Sequence, residues 1–91
     1  MDKFYIKRKI SAALELPRDV TLGLPTVLMT GDEEVVIAGH KGLLEYSEGF
    51  VRLATGLGGL KIFGINLALR EISAENVIVA GKIHQVTWEG N

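Results

Sequence analysis

The chain has no cysteine, so neither a disulfide nor a thiolate-bound metal staples it, and thiol nucleophiles and redox-active cysteine pairs are excluded. Long apolar runs are also missing, and nothing approaches the roughly 20 residues that cross a bilayer as a helix. Near the N-terminus, Lys3, Lys7, Arg8, Lys9 and Glu15 interrupt Phe4, Tyr5, Ile6, Ile10 and Leu14. A signal peptide needs an unbroken apolar stretch, so secretion is not expected. Ten basic and eleven acidic side chains leave a net charge of -1, without the whole-domain basic field of a nucleic-acid binder. Aromatic residues make up 7% of the chain, and Phe50, Phe63 and Trp88 lack the interleaved cations of a single-strand-binding platform. No residue pattern repeats at a fixed period.

What remains is 91 residues, 47% of them hydrophobic, enough for one ordinary globular domain and too few for two separately cored ones. A domain of this size retains only about 5 to 14 kcal/mol of net stability, so its core must be efficient.

From Asp2 to Leu16, Ile6, Ile10, Ala13 and Leu14 recur at helical spacing, and Lys3, Lys7, Arg8 and Lys9 fill much of the remaining surface. This pattern predicts a short N-terminal amphipathic helix over residues 1–16. Pro17 ends it, because proline lacks the N–H to continue a helix and restricts the residue before it. A helix this short is marginal alone in water, so its stripe should rest on the domain, on a partner or on a membrane surface.

After the proline the period changes to two, and residues 17–91 read as one β domain. Gly31-Asp32-Glu33 separates Thr26 to Thr30 from Glu34 to Ala38, and Gly39 to Gly42 precedes Leu43 to Ser47. Glu48-Gly49 leads into Phe50 to Thr55, and Gly56 to Gly59 leads into Leu60 to Gly64. Leu67 to Ile72 and, after Ser73 to Asn76, Val77 to Trp88 complete the set, with Gly81 marking a bulge or bend. About seven short antiparallel strands at such spacing predict a small sandwich or barrel; a short β-solenoid is the alternative. The expected core is Val36, Leu44, Tyr46, Val51, Leu53, Ile62, Leu67, Leu69, Ile78, Ile83 and Val86. Glu34, Glu45, Arg52, Lys61, Arg70 and Lys82 should face water.

No catalytic, metal or cofactor set emerges. Ser47 and Ser73 read as turn residues, and His40 and His84 are isolated, whereas zinc needs three or four converging ligands. His84 shares a strand face with Val86 and Trp88, which suggests packing. Asp32, Glu33 and Glu34 lack the spacing of a calcium loop. Gly56-Leu57-Gly58-Gly59 lacks the following helix and the lysine and hydroxyl of a phosphate loop. It reads as a hairpin turn. The charge is nevertheless uneven. Residues 1–13 carry four cations against Asp2 alone, and the rest of the chain carries six basic and ten acidic groups. Such a basic helix can lie on an anionic leaflet or dock on the acidic body, making Lys3, Lys7, Arg8 and Lys9 candidates for partner or membrane contact.

Leu16-Pro17-Arg18-Asp19-Val20, Leu24-Pro25, Gly31, Ile37, His40-Lys41-Gly42 and Tyr46 occur in an order that resembles the YqfC branch of the YabP/YqfC sporulation family. Val51-Arg52, Gly59 to Gly64, Leu67, Ile72 and Val79-Ala80-Gly81-Lys82-Ile83 extend the similarity, which covers about residues 10–88. One segment departs: relatives usually read Ile-Glu-Asn-His-Lys/Arg-Gly, and this chain reads Ile37-Ala38-Gly39-His40-Lys41-Gly42. His40 and Lys41 thus join the candidate contact residues, with a plain turn supported by His40 as the other reading. The resemblance implies an immunoglobulin-like sandwich and a non-enzymatic protein of the mother-cell cytoplasm during endospore envelope development. As an adaptor or scaffold it would act with a membrane-protein partner, docked through its helix or a sheet edge. Alternatives are a self-assembling homo-oligomer of the forming spore and a small enzyme using His40 or His84.

Overall fold

A computed structural model describes residues 23–89. Short runs, rich in valine, isoleucine and threonine except for the leucine- and tyrosine-containing third and each bounded by glycine or polar turns, form β1 (Thr26–Thr30), β2 (Glu34–Ala38), β3 (Gly42–Tyr46) and β4 (Phe50–Thr55). Two longer strands follow, β5 (Gly58–Ile72) and β6 (Asn76–Trp88). All six join one antiparallel sheet in the order β1-β2-β6-β5-β4-β3. The N-terminal helix expected over residues 1–16 lies outside the described residues.

The described strands therefore form one continuous sheet, where two packed sheets of about seven strands were expected. The difference lies in β5. Its 15 residues would measure about 50 Å if straight, and the longest dimension of the molecule is 37 Å. The strand must bend, and its register against β6 shifts between Phe63 and Gly64, Ile65 and Ala68, and Leu69 and Glu71. Bulges of this kind add twist and curvature. Leu60–Gly64 and Leu67–Ile72, which read as separate strands, are the two halves of this bent one. Because every neighbouring pair is antiparallel, the solenoid alternative is also ruled out for these residues.

Bending wraps one face around the main core of Val35, Ile37, Val51, Leu53, Leu60, Ile62, Leu67, Val77, Val79 and Ile83. Leu69 and Val86 pack against it half-buried. Leu44 and Tyr46, expected inside, are exposed: they lie on the edge strand β3, and the register slips at Leu44. Glu34, expected in water, is buried. The reason is that β2 is buried on both faces. Val36 pairs with Ile78 on the face opposite the main core, and the two form a second buried cluster.

Candidate functional site

The Gly39-His40-Lys41 connection between β2 and β3 meets the turn between β5 and β6. The backbone N–H groups of Gly39 and His40 donate to the Glu75 carbonyl at 2.6 and 3.3 Å, and the Lys41 N–H donates to the Ala54 carbonyl at 2.7 Å. Gly39 has a φ of +85°, a conformation suited to glycine and tolerated by asparagine. Gly39 in place of the usual asparagine therefore keeps the backbone shape of this turn.

His40 is buried between the two connections. Its Nε2 lies 2.8 Å from the Ser73 carbonyl oxygen, and its Nδ1 lies 2.9 Å from the Gly42 backbone nitrogen. A carbonyl only accepts and a backbone N–H only donates, which assigns the ring proton to Nε2 and the lone pair to Nδ1. Both nitrogens are thereby engaged by the backbone. With the turn intact, neither is free to ligate a metal or to take a proton from a substrate. Chemically, the ring can clamp two loops that are 33 residues apart in sequence.

Beside this clamp lies a groove of about 210 Å³ lined by Gly23, Leu24, Thr26, Ala38, Gly39, His40, Lys41 and Glu75. Lys41 and Glu75 are exposed, so the groove offers one cation and one carboxylate. The structure thus places His40 and Lys41 in one site, whereas Lys3, Lys7, Arg8 and Lys9 lie outside the described residues. Sequence reading missed the contribution of Leu24, Thr26 and Glu75. Their only signal was membership of turns or strand ends, and that does not say which turns meet.

Elsewhere Arg52 and Lys82 are held in ion pairs. Arg52 donates from Nε and Nη2 to the two carboxylate oxygens of Glu89 at 3.1 and 3.3 Å, and its Nη1 lies 3.6 Å from Glu45. Lys82 pairs with Asp32 at the β1–β2 turn. Its hydrogen bond and charge hold the Asp32 carboxyl below the usual carboxylate range, and Asp32 in return raises Lys82. The effect of this exposed pair on stability is present above the ordinary carboxylate range and is lost as acid protonates Asp32. It is also lost as alkali deprotonates Lys82, and salt screens it. His84 is exposed. Among the described residues, no group of three or more His, Asp or Glu side chains could hold a metal ion. No helix among them is long and apolar enough to cross a membrane.

The outer strands complete the inventory. β1 and β3 are the two edges of the sheet. Leu28 and Met29 on β1 are exposed, as are Leu43, Leu44 and Tyr46 on β3. Tyr46 keeps a hydrogen bond from its hydroxyl to the Leu67 carbonyl at 3.3 Å. Among the described strands β3 has a neighbour on one side only, and such an edge with exposed apolar side chains is suited to adding another strand.

Comparison with known proteins agrees with the residue pattern. The model of the YabP family matches residues 24–91. The uncharacterized protein YqfC of Bacillus subtilis (strain 168) is 36% identical over 83 residues, which cover 91% of this chain and 89% of that protein. No solved structure matches the chain. By both the family match and the extent of identity, the chain belongs to the YabP family, in the branch that includes YqfC.

Proposed function

We propose that the protein is a non-enzymatic sporulation protein that works by contact, as a mother-cell adaptor or scaffold for a membrane-protein partner during endospore envelope development. Membership of the YabP family supports the sporulation setting. The observation that carries the contact role is the β3 edge, where Leu44 and Tyr46 are 48% and 49% exposed and where, among the described residues, no further strand follows. A partner strand laid along β3 gains main-chain hydrogen bonds and covers these side chains. The clamped histidine gives the groove a fixed shape, with Lys41 and Glu75 as its polar contacts.

The test is a crosslinked pull-down of the tagged protein from cells forming spores. A membrane protein should be enriched, and Leu44→Lys should reduce its capture at least several-fold with the melting temperature little changed, because Leu44 is already exposed. Absence of any membrane protein from the captured material argues against the adaptor. Self-assembly is the second reading, favoured by the exposed apolar side chains of the β3 edge. Light scattering decides it: a concentration-independent monomer mass discards assembly, and a mass that grows with concentration supports it.

A further inference from the structure

Exposed apolar side chains gather at the end of the sheet where β4 turns into β5. Leu57 stands in the turn closed by the Thr55–Gly58 pair, and at 54% exposed it is the most exposed large apolar side chain among the described residues. The next inward-facing pair, Leu53 and Leu60, is buried, but the row they form ends on Leu43 of β3 and Trp88 of β6, both exposed. Leu24, also exposed, arrives from another segment. Its neighbour Gly23 packs on the turn so closely that a Cβ on Gly56 would stand 2.5 Å from the Gly23 carbonyl oxygen. Single exposed apolar residues are ordinary, but four gathered from separate segments mark a contact surface.

The charges at this end are uneven. Lys41 lies beside the same turn, its Cε 4.0 Å from where that Cβ would be, and Lys61 follows Leu60 on β5. The nearby carboxylates of Glu45 and Glu89 are held by Arg52. Among the described residues of this end, Lys41, Lys61 and Glu75 are left outside ion pairs, an excess of one cation.

We infer that this end meets an anionic phospholipid surface, with Leu57 entering below the headgroups, Trp88 and Leu43 at headgroup level, and Lys41 and Lys61 toward the phosphates. A side chain at the apex of a turn projects beyond the sheet, and a fluid lipid layer closes around such a projection without a preformed pocket. Tryptophan, with an apolar ring and one N–H donor, favours this boundary. The cations match an anionic leaflet, and long lysine stems let the charge stay in water while their methylenes lie along apolar surface. The inference rests on the reading of a protein that works at a membrane and says which end turns to the bilayer. β3 begins at this end, at Gly42, which pairs with Ala54.

Trp88 is the only tryptophan of the chain, so its emission reports on this end and on no other part. The full chain is mixed with vesicles of equimolar phosphatidylcholine and phosphatidylglycerol, with and without brominated acyl chains. The expected result is a blue shift of Trp88 emission and its quenching by the brominated lipid. Leu57→Glu should lower the affinity read this way about tenfold, since an apolar side chain is no longer buried. Lys41→Gln should lower it about fivefold, with little effect on vesicles of phosphatidylcholine alone. Ile65→Glu adds the same charge at an equally exposed position, next to Gly64, whose N–H bonds to Gly49 in the β3–β4 turn at the other end of β4. It should leave the affinity unchanged. Emission that brominated lipid does not quench overturns the inference, even where the chain sediments with the vesicles, because other residues then make the contact. Equal quenching in wild type and Leu57→Glu also overturns it. Pure lipid holds no protein partner, so this result and the pull-down fail independently.

Discussion

Gly81→Ala should lower the melting temperature by roughly 12–20 °C, corresponding to about 3 kcal/mol in a domain of this size. Gly81 has a φ of +138°, a conformation that side chains other than hydrogen rarely adopt. A Cβ there would also stand 2.7 Å from the Asn66 carbonyl oxygen and 3.0 Å from the Leu67 Cα. Backbone atoms cannot swing aside as a side-chain tip can, so strain and overpacking add to one another. The position is where β6 turns toward the β1–β2 hairpin: the Gly81 N–H donates to the Glu33 carbonyl at 3.2 Å, and the Ile83 N–H to the Asp32 carbonyl at 2.6 Å. Gly49→Ala is the control. Its nearest contact would be an ordinary 3.7 Å from the Gly64 carbonyl, and thermal unfolding should change little. Equal melting of the two variants would mean that β6 does not make this bend.

The second large effect is expected at His40. Truncation to alanine leaves the Ser73 carbonyl and the Gly42 N–H without their ring partners. A fully buried polar group left unsatisfied costs about 1–3 kcal/mol; water can partly replace the ring at the exposed Ser73 and half-buried Gly42, so His40→Ala should lose about 1–3 kcal/mol in denaturant unfolding, lost packing of the buried ring included. His84→Ala, at an exposed position, should lose almost nothing. This contrast separates a clamp from a reactive group, since a histidine kept for catalysis or ligation can be removed with little loss of stability. Wild-type stability in His40→Ala would contradict the assignment of its ring to the backbone.

The local pieces of this fold were legible because each short strand is bounded by a chemical stop. Thr26 to Thr30, Glu34 to Ala38 and Phe50 to Thr55 lie between glycine or polar turns, and they are strands with those bounds. What could not be read was the way the pieces join. Bulges at Phe63–Gly64 and Ile65–Ala68 break the period-two pattern as a turn does, so one bent strand looked like two and a single sheet looked like a sandwich. The core assignment failed for a related reason. Strict alternation places Val36 inward and its neighbours outward, but the unbroken run Val35-Val36-Ile37-Ala38 is the mark of a strand covered on both sides. The main core took Val35 and Ile37, and Val36 went to the second patch.

The site shows the same division between local and distant information. That His40 could support a turn followed from its place between Gly39 and Gly42. Its other partner, the Ser73 carbonyl, is brought to it by the β2–β6 pairing and the β5–β6 connection, and no spacing along the chain encodes that approach. The family resemblance, resting on motifs spread over most of the chain, was correspondingly more legible than any single contact residue.

The continuous bent sheet is the basis for the clamp, the open β3 edge and the second apolar face alike, and backbone NMR tests it most directly. Cross-strand proton contacts should run without interruption through Leu28–Val36, Val36–Ile78, Val79–Leu69, Ile62–Val51 and Val51–Tyr46. A gap in the β2–β6–β5–β4 connectivity, leaving two separate sheets, would contradict this account.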